Sequence, residues 1–558
     1  MSDPNADVDI IVVGSGAAAL SAALTAAHGG AQVLVLEKSD KVGGTSAMSG
    51  AGTWIPANHL ARRAGIDDSE EDALTYLRAT APDGWAKSED ALWQSFVAAA
   101  PRALELIDEL TPLEFELTPE PDPMCEYDGA SRGGRMMSPK VLRRALAGPF
   151  ASRIRPSTLP HIFTYVEAHE LGPYKQPIKV GLKLWRELLH RLLTGARGQG
   201  TALVTGLIHG CLEQGVRIET RSEVSQLMSD DLGRIGGVVV EQNGEARQLS
   251  ARRGVILATG GFEWDSALLM EHFPGPLDRI GSPRTNTGDG QRMAVEVGAA
   301  LAHMDQANVY ATLPTIYEGE VHGMPMTFHG PRHLIVVNRD GQRIGSELDY
   351  NLGERVDARD PDTGEPLNLP CWMVADQQYL KNSGMFRWFA RKQPGWLRRA
   401  PTIPALAEKI GVDPRALAET VERYNGFADQ GQDADFHRGE SIWERYKSGG
   451  TPEGAPVNLG RIDAAPYIAV PLNRSILATK GGPRTDANGQ VLREDGSAIA
   501  GLYCAGVAMA NPIGTRSVGA GTTIGPCMTW GYICAQHLLR TNVVALQSGS
   551  QSANSKTL

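Results

Sequence analysis

The chain has 558 residues, 42% of them hydrophobic, and carries a formal net charge of −10 at pH 7. This length allows two to four domains with a sizeable core, and the composition is ordinary for a soluble enzyme. The acidic balance argues against a nucleic-acid partner. No apolar run reaches the roughly 18 residues that span a bilayer, and the polar N-terminus does not resemble a signal peptide. We therefore expect a cytoplasmic protein.

The chain opens with a strand–turn–helix pattern, in which the apolar run Asp9-Ile-Ile-Val-Val precedes Gly14-Ser-Gly16 and an alanine-rich segment. Gly14 is expected to make a tight turn, and Gly16 to let the backbone approach a pyrophosphate at the helix N-terminus. A second apolar run ends in Glu37, whose carboxylate can accept hydrogen bonds from both ribose hydroxyls. These features predict a βαβ unit that binds a dinucleotide. Its predicted contacts are Gly14, Ser15, Gly16, Ala17, Ala18, Glu37 and Lys38.

A glycine- and hydroxyl-rich stretch soon after Glu37 indicates which dinucleotide binds. In FAD enzymes of this type, such a stretch runs along the pyrophosphate towards the flavin ring, and small residues are needed because the backbone lines the cofactor. A nicotinamide enzyme has no obvious use for it, so the sequence predicts FAD. Two later strands end in glycine-rich turns, at the sheet edge where such ligands bind. The predicted contacts in these stretches are Gly43, Gly44, Thr45, Ser46, Ser49, Gly50, Ala258, Thr259, Gly260 and Gly506.

These separated motifs predict an α/β fold with a Rossmann-like FAD-binding domain that is split in sequence. Its first part is residues 1–285, with a mainly helical insertion at about 59–200, and its C-terminal part is 458–545. Residues 286–457 are predicted to form a second, α+β catalytic or capping domain that closes over the flavin. The Ser- and Gln-rich tail, 546–558, is expected to be disordered.

The predicted second domain has clear elements of its own. Apolar runs at 334–338 and 372–376 are typical of buried strands. Helices are predicted at 403–410 and 414–427. Alternating strands and helices of this kind favour an independently packed α+β unit.

Cysteine usage gives no sign of metal chemistry. The six cysteines form no C-x-x-C pair, and none has the spacing with histidine that is typical of metal ligands. Several lie in apolar runs, which favours buried thiols in a reducing compartment. We predict no metal site.

The segment 175–197 is alternately basic and apolar, with its large apolar residues at helical spacing. One interpretation is a helix that packs on the protein and leaves a basic face in solvent. The other is a helix that lies on a membrane surface, which would help if the substrate is lipophilic. The first is the commoner outcome, and peripheral membrane contact through 175–197 stays as the alternative.

The motifs together resemble the fumarate reductase and succinate dehydrogenase flavoprotein superfamily, and within it most the 3-ketosteroid Δ1-dehydrogenases. The resemblance covers nearly the whole chain and is weakest at 100–200. It is carried by runs such as Val12-Val-Gly-Ser-Gly16, Ala258-Thr-Gly-Gly-Phe-Glu263, Asn286-Thr-Gly-Asp-Gly290, Tyr424-Asn-Gly-Phe, Thr479-Lys-Gly-Gly482 and Gly519-Ala-Gly-Thr-Thr-Ile-Gly-Pro526. It adds further predicted cofactor contacts: Asn286, Gly288, Asp289, Thr522, Thr523 and Ile524.

The resemblance implies the removal of two hydrogens from adjacent carbons beside a ring ketone. A base takes the α-proton while an oxyanion site stabilises the developing enolate, and the β-hydrogen leaves as hydride to the flavin. Carried over to this chain, the base is Tyr350. A second tyrosine that supports the base is predicted at Tyr127, because a Gly-Gly-Arg follows it as in the family.

The chain departs from the family at the oxyanion site. The family has a tyrosine four residues before the glycine that matches Gly521, and this chain has Ser517 there. Serine can still donate a hydrogen bond, but it is much shorter. The neighbouring Arg516 is predicted either to bind the substrate, through its carbonyl or a carboxylate, or to form a salt bridge with the domain or a cofactor phosphate. The departure puts the steroid substrate itself in question.

The sequence thus predicts an FAD-dependent dehydrogenase that introduces a C=C bond beside the carbonyl of a small hydrophobic cyclic ketone and passes electrons to an unidentified acceptor. One alternative is a smaller cyclic ketone or oxo-acid as substrate. Another is an ene-reductase like the fumarate reductases. Those enzymes hold a catalytic arginine three residues before the glycine that matches Gly521, and Val518 in that place counts against this alternative.

Overall fold

A computed structural model describes residues 8–173, 176–393, 395–449 and 458–541. The predicted disordered tail, 546–558, lies outside the described residues. Within them, no helix is long and apolar enough to cross a membrane. The same residues contain no group of three or more side chains that could hold a metal ion.

Strands and helices alternate along most of the chain. The strands are β1 (Val8–Val13), β2 (Val33–Glu37), β3 (Thr53–Trp54), β4 (Phe115–Leu117), β5 (Met136–Pro139), β6 (Leu142–Arg143), β7 (Ala196–Arg197), β8 (Arg217–Thr220), β9 (Glu223–Ser229), β10 (Ile235–Gln242), β11 (Glu245–Leu257), β12 (Leu277–Ile280), β13 (Leu301–Ala302), β14 (Ala307–Val309), β15 (Thr312–Tyr317), β16 (Glu320–Pro325), β17 (Leu334–Val337), β18 (Trp372–Ala375), β19 (Arg398–Ala400), β20 (Tyr467–Pro471), β21 (Arg474–Thr479), β22 (Gly482–Pro483), β23 (Gln490–Leu492) and β24 (Ala498–Cys504). The α-helices are α1 (Ala17–His28), α2 (Gly44–Met48), α3 (His59–Arg63), α4 (Glu70–Thr80), α5 (Ala86–Leu110), α6 (Tyr165–Glu170), α7 (Pro177–Lys183), α8 (Trp185–Thr194), α9 (Gln199–Glu213), α10 (Ser266–His272), α11 (Asp289–Glu296), α12 (Leu352–Val356), α13 (Gln377–Asn382), α14 (Gly384–Lys392), α15 (Ile403–Ile410), α16 (Pro414–Gln430), α17 (Ile442–Lys447) and α18 (Ile524–Arg540). Two 3₁₀ segments lie at Arg144–Phe150 and Gly506–Ala508.

The central sheet combines strands from distant parts of the chain, in the order β23-β24-β11-β1-β2-β8. The pairs from β24 to β8 are parallel, and Ile10 of β1 lies opposite both Val33 of β2 and Gly254 of β11. β10 pairs antiparallel with the first part of β11, and β9 pairs antiparallel with β10. The apolar runs of β1 and β2 are buried, as expected for parallel strands covered on both faces.

Helices α1 and α18 cover this sheet and contact each other closely. A Cβ atom on Gly531 would lie 2.3 Å from the carbonyl oxygen of Ala18, so only glycine permits this approach. The Ser21 hydroxyl donates to the carbonyl oxygen of Met528 at 2.7 Å. The contact joins the two ends of the chain in one core.

A second, antiparallel sheet has the order β17-β18-β20-β19. Along β17, Leu334 and Val336 pack in one apolar cluster with α13 and α14, and Ile335 and Val337 pack in another with α15 and α16. This alternation follows from the two-residue period of a strand. The sheet is therefore buried on both faces.

The strands and helices predicted within 286–457 are confirmed, and α15 has the predicted bounds. Near both predicted ends of the range 286–457, residues pack differently from the predicted division of the chain. Met293 and Ala294 of α11 belong to the core around the central sheet, because their apolar face covers that sheet. At the other end, β20 pairs between β18 and β19, so the second unit continues to Pro471. The described part of 59–200 is mainly helical, with four short strands.

A buried ion network holds the segment that leads to Tyr350. Arg343 forms ion pairs with Glu347 at 3.0 Å and Asp433 at 2.8 Å, and Arg438 donates to Glu347 at 2.9 Å. All four side chains are at most 4% exposed. Burial acts to raise the pKa of Glu347, but the two guanidinium charges outweigh it and hold that pKa below its ordinary value.

Replacing Glu347 by Gln should lower the free energy of unfolding by about 3–5 kcal/mol, because two buried guanidinium groups lose a carboxylate that they share. Urea unfolding monitored by fluorescence measures this change. Since folding lowers the pKa of Glu347, its contribution is present above the ordinary carboxyl pKa and is lost as the pH falls through the folded-state value.

The matched control is Glu419→Gln, which breaks an exposed ion pair with Arg415. An exposed pair contributes about 0–1 kcal/mol, so this variant should unfold almost like the parent protein. Equal losses in the two variants would contradict the importance of the buried network.

Candidate active site

A cleft with an empty volume of about 770 Å³ lies at the carboxyl ends of β1, β2 and β11, where α/β sheets bind ligands. Most of the predicted cofactor contacts line it. They are Gly14, Ser15, Gly16, Ala17, Ala18, Glu37, Lys38, Gly44, Thr45, Ser46, Ala258, Thr259, Gly260, Asn286, Asp289 and Gly506.

The cleft wall also contains residues that the sequence did not indicate. They are Val13, Leu36, Ser222, Val224, Thr285, Met293, Ala505, Val507 and Cys527. Most are apolar and belong to no motif, so only the fold brings them to the cleft. The other predicted contacts are not part of this wall: Gly43, Ser49, Gly50, Gly288, Thr522, Thr523 and Ile524. Gly43 and Gly288 instead cap the N-termini of α2 and α11.

The turn at Gly14 leaves no room for a side chain. Its φ angle is +108°, and a Cβ atom there would lie 2.3 Å from the carbonyl oxygen of Ala258. Next to this turn, the Thr259 hydroxyl is buried without a hydrogen-bond partner in the described structure. A tight glycine turn beside an unsatisfied hydroxyl fits a polar ligand that lies against the backbone.

Glu37 is held in place from two sides. Its carboxylate accepts a hydrogen bond from the Ser15 hydroxyl and another from the Ser39 amide at 2.8 Å. The Ser15 hydroxyl also accepts a bond from the Gly43 amide at 2.9 Å. Burial raises the pKa of Glu37 above its ordinary value, and the hydrogen bonds from Ser15 and Ser39 oppose that rise. Ser15 thus connects the first glycine turn with the glycine-rich stretch.

The far side of the cleft is fixed by two polar side chains. Lys38 donates to the Thr287 hydroxyl at 2.7 Å and forms an ion pair with Asp289 at 2.5 Å. Asn286 donates to the Thr45 hydroxyl at 3.0 Å and to the buried Glu263 carboxylate at 2.7 Å. These bonds tie the loop before α11 to the βαβ unit.

The glycine-rich stretch leads from this cleft to a second polar region. The Tyr165 ring lies against Gly50: a Cβ atom on Gly50 would be 3.1 Å from the ring. Two residues further on, Gly52 contacts the backbone of Gly521. Gly521 has a φ angle of +90°, and a Cβ atom there would lie 2.5 Å from the backbone of residues 52 and 53, so glycine is required.

Tyr350 lies in this second region, half-buried. Its ring packs edge-to-face on Trp443, with the ring centroids 4.9 Å apart. Burial is the main influence on the Tyr350 phenol and raises its pKa above the ordinary value. The charge of Glu120 raises that pKa further, and a hydrogen bond with Ser517 lowers it.

Glu120 links three elements beside Tyr350. This buried carboxylate forms an ion pair with Lys447 of α17 at 2.7 Å and accepts a hydrogen bond from the Tyr165 hydroxyl at 3.3 Å. The Lys447 ammonium also lies 4.6 Å from the centre of the Trp443 ring. Burial raises the pKa values of Tyr165 and Tyr310, and the negative charge of Glu120 raises them further.

Ser517 joins the C-terminal loop to the segment around Tyr350. The Ser517 amide donates to the Asn351 side-chain oxygen at 2.8 Å, and the Asn351 side-chain amide donates back to the Ser517 carbonyl at 3.1 Å. The Ser517 hydroxyl lies 2.6 Å from the Thr522 hydroxyl. Thr522, predicted as a cofactor contact, therefore positions the serine.

The loop that carries Ser517 is held through its carbonyl groups by side chains of other elements. Four hydrogen bonds of 2.7–2.9 Å reach these carbonyls: Trp93 to Pro512, Lys480 to Ile513 and Gly514, and Tyr76 to Val518. Burial lowers the pKa of Lys480 to about 8. These four bonds do not depend on the side chains of the loop itself.

Arg516 is engaged by the protein itself. Its guanidinium group pairs with the Glu354 carboxylate through two nitrogens, at 2.8–3.1 Å, and donates to the carbonyl oxygen of Thr80 at 3.3 Å. Of the two roles predicted for Arg516, the salt bridge with the domain is the one observed. This pair also fastens α12, directly after Tyr350, to the C-terminal loop.

The Tyr127 side chain is 52% exposed, on a loop that contacts α17 through a hydrogen bond from the Ile442 amide to Glu126. The loop turns it outward, since the Tyr127 amide bonds to the Met124 carbonyl and the buried Arg135–Asp122 ion pair anchors the loop beneath. The charges that act on Tyr350 come instead from Glu120 and a different tyrosine, Tyr310.

The sequence did not indicate several residues of this region, which are Glu120, Tyr165, Tyr310, Trp443 and Lys447. None lies in one of the glycine-rich motifs. The aromatic and charged residues of α17 follow one another at helical spacing, which is the one sequence signal that could have suggested a shared face.

A parallel sheet with a glycine turn, a buried acid at the end of its second strand and a cleft at its carboxyl edge defines the chain as a dinucleotide-binding α/β protein. Residues 9–524 match the model of the FAD binding domain family. The chain therefore belongs to this family of flavoproteins. It is an FAD-dependent oxidoreductase, and the cleft described above fits FAD.

The chain is similar over nearly its whole length to enzymes that act on ring ketones. It is 36% identical to 4-oxocyclohexanecarboxylate 2-dehydrogenase of Sinomonas cyclohexanicum, which covers 96% of this chain and 93% of that protein. It is 34% identical to 3-oxosteroid 1-dehydrogenase of Mycobacterium tuberculosis, with coverages of 95% and 98%. The crystal structure of 3-ketosteroid Δ1-dehydrogenase from Sterolibacterium denitrificans, in complex with 1,4-androstadiene-3,17-dione, superposes with a TM-score of 0.83 at 32% identity, covering 96% of this chain and 100% of that one. The predicted resemblance is confirmed.

Replacing Gly14 by Ala should yield protein with little or no bound flavin. The new Cβ atom would meet the Ala258 carbonyl at 2.3 Å in a backbone conformation that alanine avoids, so the turn must move away from the pyrophosphate position. The flavin-to-protein absorbance ratio after purification measures the effect.

The matched control is Gly30→Ala. Gly30 also has a positive φ angle, +84°, but no atom lies within 4 Å of a Cβ atom there. This variant should lose some stability and keep its flavin. A yellow Gly14→Ala protein with the parent's flavin content would contradict the assigned binding site.

Proposed function

We propose that this protein introduces a C=C bond beside the carbonyl of a neutral cyclic ketone. The observation that carries the proposal is the meeting of Tyr350, Ser517 and Gly521 at the end of the glycine-rich stretch that leads from the FAD cleft. A base, a hydroxyl donor and a backbone amide are the groups needed to form an enolate. The relatives act on a 3-oxosteroid and on 4-oxocyclohexanecarboxylate, which share a six-membered ring ketone.

Tyr350 is the proposed base. It takes the proton from the carbon next to the carbonyl, and the electron pair of that C–H bond moves into the enolate. FAD, when bound, supplies the acceptor for the hydride that leaves the adjacent carbon, which completes the double bond. Because burial and Glu120 raise the pKa of Tyr350, little phenolate is present at neutral pH in the protein alone. Turnover is therefore expected to rise with pH.

The oxyanion site is proposed at Ser517 and the Gly521 amide. The Ser517 hydroxyl is bonded within the loop to Thr522 and Gly519, so it can turn from one of these partners to a carbonyl oxygen. Its bond with Tyr350 lowers the pKa of the base. One short side chain would thus serve both the base and the oxyanion.

A neutral substrate fits the charges of the region better than an oxo-acid. In the part of the chain that the structure describes, Arg516 and Lys447 beside this site are already paired with Glu354 and Glu120, and Lys480 is bonded to the Ile513 and Gly514 carbonyls. A substrate carboxylate would have to displace one of these carboxylates or remain unpaired, which is costly in a buried site.

We further infer that the chain divides into an FAD-binding domain built from separated segments and a capping domain around the sheet β17-β18-β20-β19. The active site then lies where the two meet, since Asn351 and Glu354 of one contact Ser517 and Arg516 of the other. The electron acceptor that reoxidises the flavin is a separate molecule.

The proposal is tested by anaerobic bleaching of the bound flavin with a panel of ketones: a 3-ketosteroid, a neutral 4-alkylcyclohexanone and 4-oxocyclohexanecarboxylate. At least one neutral ketone should bleach the flavin, with a conjugated enone as product. Bleaching by the oxo-acid alone would replace the neutral substrate with the oxo-acid. If none of the three bleaches the flavin, the proposed reaction is wrong.

Tyr350→Phe should lower kcat by about 100-fold or more, the usual contribution of a positioned base, while flavin content and ketone binding stay near normal. In the parent enzyme, kcat/KM should rise with pH into the alkaline range, because the pKa of Tyr350 lies above its ordinary value. Steady-state kinetics across pH measures both effects.

Tyr503→Phe is the matched control, since the Tyr503 hydroxyl bonds to His537, away from the site. It should keep the parent's rate and pH profile. A Tyr350→Phe enzyme that retains more than about a tenth of kcat would place the base elsewhere.

A further inference from the structure

Helices α7 and α8 present an apolar face to solvent. Six large side chains on them are between 48% and 79% exposed: Ile178, Leu182, Trp185, Leu189, Leu192 and Leu193. On α8 they recur at positions i, i+4, i+7 and i+8, which places them on one side of the helix. The expectation that this segment packs its apolar face on the protein is therefore wrong for the described residues, 176–197.

The side of α8 that turns toward the protein carries Arg191, with Leu188 partly buried beside it. Arg191 is buried, and its guanidinium group makes two bonds to the Glu167 carboxylate, at 2.6 and 2.7 Å, and one to the Ile162 carbonyl at 2.9 Å. A buried, doubly bonded arginine fixes the rotation of the helix. The outward apolar face is thus set by specific contacts of the fold.

Cations surround the apolar face. Lys179, Lys183 and Arg186 are exposed, and Glu187 is the one acidic residue among the described residues of α7 and α8. The Arg186 guanidinium lies 5.3 Å from the centre of the Trp185 ring. This basic, apolar surface belongs to a chain whose formal net charge is −10.

We infer that α7 and α8 form a docking surface for a lipid bilayer with anionic headgroups. A contiguous patch of large exposed apolar side chains marks an interaction site. A helix with a strong apolar face flanked by Lys and Arg is typical of helices that lie in the bilayer interface. The apolar side chains enter the acyl region while the cations reach the headgroups. Charge argues against a second copy as the occupant, because a two-fold contact would bring the same cations together.

Docking there would bring the bilayer close to the active site. The buried Arg191–Glu167 pair joins α8 to α6, and α6 also carries Tyr165, which bonds to Glu120 beside Tyr350. An apolar ketone dissolved in the membrane would then reach the site over a short path. The docking surface stands on the exposed residues themselves and does not depend on which ketone is used.

The test is cosedimentation of the flavin-loaded protein with vesicles of phosphatidylcholine alone and of phosphatidylcholine mixed with phosphatidylglycerol. The protein should bind the anionic vesicles more tightly, and less so at high salt. The triple variant Leu182→Ser/Trp185→Ser/Leu193→Ser should lose about tenfold or more in vesicle affinity. The charge variant Lys179→Glu/Lys183→Glu should lose the preference for anionic vesicles.

Leu232→Ser is the control, because Leu232 is 94% exposed in a distant hairpin turn. It should bind vesicles like the parent. The charge variant keeps the test informative if the triple variant does not fold. Absence of vesicle binding by the parent, or equal binding by all variants, would overturn the inference. So would a dimer in sedimentation velocity that the triple variant abolishes while the parent ignores vesicles. None of these results depends on turnover.

Discussion

The paired hydrogen bonds between Asn351 and Ser517 are the contact on which the candidate site depends. One side-chain amide accepts from and donates to the same backbone unit, at 2.8 and 3.1 Å. Such a two-bond contact fixes both distance and orientation. It holds the residue after the proposed base against the proposed oxyanion loop. Neither the segment around Tyr350 nor the loop around Ser517 could fix this arrangement alone, because the two come from distant parts of the chain.

Two further interactions make this contact rigid. Upstream, the buried ion network around Glu347 leaves the segment that leads to Tyr350 little freedom. Downstream, the Arg516–Glu354 pair closes the same junction from the other side of Asn351. Arg516, which the sequence suggested as a substrate anchor, therefore binds Glu354 and holds the two segments together. This accounts for a site with an arginine beside it and no free cation among its described neighbours.

The sequence predicted the cofactor cleft well and the second region poorly, for a physical reason. Around Gly14 and Glu37, each contact follows from a short motif, since a turn and a helix N-terminus are local structures. Glu120 and Lys447 lie 327 positions apart, and only the packing of α17 brings them together. Tyr127 was predicted from a local Gly-Gly-Arg, but the fold turns it to solvent and places Tyr165 and Tyr310 near Glu120 instead.

The side chains of Trp93, Lys480 and Tyr76 donate hydrogen bonds to the main-chain carbonyls of the loop that contains Ser517. Main-chain carbonyls are present whatever the side chains are, so a change of side chain at position 517 leaves these hydrogen bonds in place. Evolution can therefore exchange the side chain at position 517, the proposed oxyanion donor, without rebuilding the scaffold. Related enzymes could diverge from bulky polycyclic to compact monocyclic ketones by changing a few side chains on an unchanged backbone.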